Sequence, residues 1–172
     1  MSTRSGMNTA SRILRLLTTV ESIAATIAYV IVAALLIGDV VGREIFGKGI
    51  FGASKMAVFA AICSGFIGLA LATAANTHLR PAFMDFVFAG PRAVMANRIG
   101  DAFGCLFFAF MGFLGVLFVM QSFEYSEKAA VLYWQLWPIQ MVIPYAFFST
   151  AIRHGVFASW PELKPKGDEV AI

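Results

Sequence analysis

The chain has 172 residues, of which 59% are hydrophobic and 13% charged, and its mean hydropathy is +0.78. That composition excludes an ordinary soluble domain. The net charge of +3 is not a nucleic-acid footprint, because the basic residues are distributed by the apolar stretches rather than clustered on a patch, and no nucleic acid is expected as a partner.

Residues 1–10 are small and polar and read as a flexible tail. From Ser11 the pattern turns amphipathic, with Ile13, Leu16, Leu17 and Val20 at helical spacing and Arg12 and Arg15 elsewhere. This predicts a helix that lies on the membrane surface or extends the first span inward. Ser22–Gly38, between Glu21 and Asp39, carries no ionisable side chain and reaches spanning length with Val20, Val40 and Val41, so span one covers about residues 20–41. No small-x-small cleavage site follows it, so it reads as an uncleaved span rather than a secretory signal. The outer connection Gly42–Ser54 holds Gly42, Gly47, Gly49 and Gly52 and reads as a tight, turn-rich link.

Span two, about 55–77, contains the uncharged run Met56–Thr77. At 1.5 Å of rise per residue its 22 residues reach about 33 Å, against about 30 Å of hydrocarbon. Ala60, Ser64, Gly68, Ala72 and Asn76 recur every fourth residue as a small-residue stripe. Such a stripe lets helices approach closely, within this chain or against another protein. In the following inner segment Pro81 and Pro91 bracket Phe83, Met84, Phe86, Val87 and Phe88. One or two short helices in the interface plane are expected there, with a loop packed beneath the bundle as the alternative.

Span three, about 100–123, holds seven Phe, three Leu and two Val between Ala102 and Phe123, which favour insertion by roughly 4–7 kcal/mol. It offers Gly100, Gly104, Gly112 and Gly115 for close packing. Span four is expected over about 130–152, with Tyr133, Trp134 and Trp137 as an aromatic belt and Trp160 beyond the other end. Pro138 and Pro144 should bend or break it, with Gln135 and Gln140 near the freed carbonyls. Residues 161–172 read as a second flexible tail. Cys63 and Cys105 fall inside spans and read as small buried hydrophobes.

The expected fold is therefore an all-α integral membrane protein, one membrane domain over 1–172 with four transmembrane helices. Continuous rather than alternating apolar runs favour helices over a barrel. The segments on one side carry nine Lys and Arg against four on the other, and the positive-inside rule places both termini in the cytoplasm.

Between their flanks the spans hold no Asp, Glu, Lys, Arg or His. Ion coupling and proton relay need such groups near the midplane, so a subunit is favoured over a complete carrier, and a small multidrug exporter ranks lowest. No catalytic constellation, metal-ligand spacing or cofactor motif is present, so no enzyme activity, metal or cofactor is expected. A competing reading makes His78 and His154 axial ligands of a haem- or quinone-binding anchor of a redox complex. The alternative is that both cap helix ends near the headgroups.

The order and spacing of several motifs resemble a known family. They are Glu21 at the start of span one, Arg43-x-x-Phe46-Gly47, the small-residue span two, His78-Leu79-Arg80 followed by Asp85, and the proline-bearing span four. Together, over roughly Val20–Arg153, the chain resembles the small permease subunit (DctQ type) of tripartite ATP-independent periplasmic (TRAP) transporters. Ser54-Lys55 stands where many members carry acidic residues, and Pro81 and Ala82 stretch the interval from His-x-Arg to Asp85.

The resemblance implies a bacterial inner-membrane protein without catalysis of its own. Its implied partners are membrane lipids, a large multi-span subunit with the sodium-coupled site, and a periplasmic solute-binding protein that delivers an organic-acid-like solute. Candidate interface residues are then Glu21, Arg43, Lys48, Lys55, Ser64, Gly68, Ala72, His78, Arg80, Asp85, Pro138 and Pro144.

Overall fold

The computed structural model describes residues 2–75 and 93–165, and every regular element among them is helical. Three helices are long and apolar enough to cross a membrane: α1 (Ser2–Phe46), α2 (Ala53–Ala74) and α3 (Ala93–Glu124). The short α4 (Trp137–Gln140), α5 (Val142–Ser159) and a 3-10 turn (Pro161–Leu163) complete the described chain.

The amphipathic segment after Ser11 is continuous with span one in one helix of 45 residues, and that helix begins at Ser2, where a tail was expected. Gly47 ends it at φ 66°, with its N–H donating to the Arg43 carbonyl at 3.1 Å. The six-residue connection to α2 is held from below by Asp39, whose Oδ1 accepts the Ile50 N–H at 2.8 Å. Gly52 precedes α2 at φ 76°, and a Cβ there would meet Leu132 Cδ2 at 2.5 Å, so the site admits only glycine without movement. Interfacial helices were expected between spans two and three. Residues 76–92 lie outside the described residues, while Ala93–Ile99, expected as part of such a helix, runs straight on into α3.

The fourth expected span, about 130–152, begins later than its apolar run suggests. Residues 125–136 form an irregular loop in place of its first turns. There Ala129 N–H donates to the Trp134 carbonyl at 2.8 Å, and Ser126, Val131 and Tyr133 adopt positive φ. Belt aromatics made this loop read as apolar span, since hydropathy does not separate an interfacial ring from a lipid-buried one. Pro138 lies in the first turn of α4 and Pro144 is the third residue of α5. A first turn has no use for the missing donor, so both prolines start helices rather than break one in mid-membrane.

In space the helices follow the order α1, α2, α5, α3. The α1 helix packs along α2, and α5 packs mainly on α3 and then on α2. Glycines of span three make that contact: a Cβ at Gly112 would meet the Phe148 ring at 2.9 Å, and one at Gly115 the Pro144 backbone at 3.3 Å. The outer faces of α1 and α3 stay exposed, with Tyr29, Val30, Phe103 and Leu106 on them, as a lipid- or partner-facing surface would be. Cys63 and Cys105 are both unpaired and half-buried.

Candidate functional site

The ionisable residues that flank the apolar runs are folded back onto one another at two levels. At the level of the N-terminal end of span one, Glu21 on α1 meets Arg153 on α5. Arg153 Nη2 donates to Glu21 Oε2 at 2.6 Å and Nη1 to Oε1 at 3.3 Å. Both side chains are 1% exposed. Ser149 Oγ donates to Glu21 Oε1 at 2.5 Å, Tyr145 adds its hydroxyl at 3.3 Å, and Arg153 Nη2 also reaches Thr18 Oγ1 at 3.4 Å. Burying two charges stabilises little by itself, but it fixes one register between α1 and α5, because any slide strands a charge.

At the same end Asp101, near the start of the apolar part of α3, is 4% exposed. Lys164 Nζ donates to its Oδ2 at 2.7 Å and its Oδ1 at 2.8 Å, and His154 Nδ1 lies 3.2 Å from Oδ1. The His154 ring lies flat on Phe108, with centroids 5.5 Å apart at an interplanar angle of 6°. Lys164 thereby docks the 3-10 turn where a flexible tail was expected; residues 166–172 lie outside the described residues.

The opposite end has its own polar groups. Asp39 is paired with Arg43 one helical turn on, and Ser122 Oγ donates to Glu127 Oε2 at 2.9 Å. Asp39 lies 18 residues beyond Glu21, about 27 Å of helix, and Ser122 lies 21 beyond Asp101, about 32 Å. The two polar levels therefore bracket a slab of about hydrocarbon thickness.

The expected interface residues divide accordingly. Glu21 is turned into the chain, satisfied by Arg153. Arg43 keeps 61% of its side chain exposed despite its pairing, and Lys48 and Lys55 are exposed beside it. Ser64 and Gly68 border a groove of about 660 Å³ between α1 and α2, together with Ala25, Tyr29, Ala61 and Gly65. Among the described residues no packing neighbour lies within 4 Å of a Cβ built on Gly65 or Gly68, unlike Gly104, Gly112 and Gly115 of α3, which meet α5. Ala72 is half-buried near the end of α2, and Pro144 packs on Gly115. His78, Arg80 and Asp85 lie outside the described residues. Among the described residues no group of three or more His, Cys, Asp and Glu is placed to hold a metal ion.

Arg153 and Asp101 were missed as site residues. A signal for the first was present: a lone carboxylate opening an apolar run demands a cation at its own depth, and Arg153 closes the last run on the same side.

A family model described as "Tripartite ATP-independent periplasmic transporters, DctQ component" matches residues 32–158, about three-quarters of the sequence. The chain belongs to the DctQ family. It is thus a component of a TRAP transporter, of a family that resides in the bacterial inner membrane. The DctQ match includes Arg43, the groove residues of α2, Asp101 and Arg153, and it begins after Glu21. Comparison with curated proteins and with solved structures returned no match.

Proposed function

We propose that this DctQ-family chain is the non-catalytic small subunit of a sodium-driven secondary importer of an organic-acid-like solute. It braces the large transport subunit in the bilayer and helps dock the periplasmic binding protein. The observation that carries this reading is the confinement of paired charges to two levels about 30 Å apart. Within the described slab no ionisable group is left to coordinate a cation or relay a proton, so energy conversion belongs to another polypeptide.

The chain crosses the membrane four times with both termini in the cytoplasm. Met141 keeps helical dihedrals (φ −57°, ψ −21°) between α4 and α5, so the two helices follow one another over residues 137–159 and together reach about 35 Å, long enough to be the fourth span. The groove at Ser64, Gly65 and Gly68 receives a helix of the large subunit, because Gly65 and Gly68 have no packing neighbour among the described residues. Arg43, Lys48 and Lys55 face the periplasm and present positive charge to the binding protein.

The test is purification from bacterial membranes in mild detergent. A tagged chain should bring down a much larger membrane protein, and Gly65→Leu with Gly68→Leu should abolish that capture while the chain stays folded. Reconstituted alone in liposomes, the chain should show no sodium-driven uptake; robust uptake by the isolated chain refutes the proposal.

A further inference from the structure

A second cavity, of about 510 Å³, opens at the end of the molecule that carries Glu21 and Arg153. The inward extension of α1 forms one wall, and the end of α5 with the 3-10 turn forms the other. Its lining combines Leu14, Arg15 and Thr18 with Arg153, Phe157 and Glu162. Arg15 lies six residues inward of Glu21, about 9 Å along the helix axis. That places its charge just beyond the apolar slab, at the depth of lipid headgroups.

The charge inventory of this cavity is specific. The Arg153 charge is cancelled by Glu21, and both of its terminal nitrogens are engaged. Its Nε is buried with no hydrogen-bond acceptor. The Thr18 hydroxyl donates back to the Leu14 carbonyl at 2.9 Å, so its proton is not available to a guest. Arg15 and Glu162 remain, and among the described residues neither makes an ion pair, although they line the same cavity. A cation and an anion held apart across one cavity, beside the apolar Leu14 and Phe157, fit a guest with both charges and an apolar body.

We propose that this cavity binds the headgroup of a zwitterionic aminophospholipid, its phosphate at Arg15 and its ammonium at Glu162. The glycerol and first acyl carbons lie on Leu14 and Phe157. An anionic lipid or a free phosphate satisfies Arg15 but sets like charge against Glu162, so neither fits as well. The inference needs only the membrane setting of this end and not the transport role, and the chain alone suffices to test it.

The experiment is lipid titration of the purified full chain in detergent, read by native mass spectrometry and thermal unfolding. The probes are phosphatidylethanolamine, phosphatidylglycerol and inorganic phosphate. Phosphatidylethanolamine should be retained and should raise the unfolding temperature more than either other probe. Arg15→Gln and Glu162→Gln should each weaken it about tenfold, the loss of one charge-assisted contact. Glu162→Gln should also bring phosphatidylglycerol level with phosphatidylethanolamine. Equal binding of both lipids by the unmodified chain, equal protection by phosphate, or variants that bind as the parent does would each overturn the assignment. The first two outcomes need no variant.

Discussion

Replacing Arg153 with leucine is the sharpest perturbation that the fold invites. The Glu21 carboxylate takes two of its four donors from Arg153 and the others from Ser149 and Tyr145. Arg153→Leu leaves a carboxylate at 1% exposure with hydroxyl donors alone, and stranding a buried charge costs about 3–5 kcal/mol. Removing both partners, as Glu21→Met with Arg153→Leu, takes the charge away entirely. Ser149 can then turn to a carbonyl of its own helix, and the double variant should lose no more than about 1–2 kcal/mol. The two changes should therefore couple by at least about 2 kcal/mol in a double-mutant cycle. SDS titration of the detergent-solubilised chain, followed by tryptophan fluorescence, measures each corner of the cycle. A double variant as unstable as Arg153→Leu would refute the reasoning. So would a single-variant cost below about 1 kcal/mol, the range of an exposed pair.

Other substitutions probe the remaining contacts. Gly52→Ala should lower stability by about 1–2 kcal/mol, because it forces an alanine into left-handed backbone and against Leu132; an unchanged unfolding midpoint would contradict this. Gly115→Val should push α5 off α3 at Pro144 and cost about 1–3 kcal/mol by overpacking. Gly68→Leu, opening onto empty space, should leave the same unfolding curve unchanged. Asp101→Asn weakens the hold on Lys164, so amide hydrogen exchange over residues 160–165 should accelerate while exchange in the middle of α2 does not.

The first three membrane helices were readable because an uninterrupted apolar run long enough to span has few other ways to satisfy its backbone. Their ends were less so: the polar residues before Ser11 continue α1, and Ala93–Ile99 belongs to α3. The fourth run misled because Tyr133, Trp134 and Val131 score as apolar wherever they sit, and nothing in Val131 announces a φ of 77°. Glu21 was legible as an unusual residue, but its role depends on a partner 132 positions away. Periodicity along one helix carries no information about the azimuth of another. Asp101 and Lys164 were unreadable for the same reason, and the unoccupied glycines of α2 were indistinguishable in sequence from the packed glycines of α3.

The central place of α5 in the helix order has a consequence for biogenesis. Synthesis delivers α1, α2 and α3 to the bilayer first, with Glu21 and Asp101 already installed and their cations not yet made. Arg153 emerges on α5 and Lys164 just after the 3-10 turn, and between them they neutralise both acids. A chain halted on the ribosome before residue 153 therefore carries two stranded carboxylates and a missing keystone, a clear target for membrane quality-control proteases.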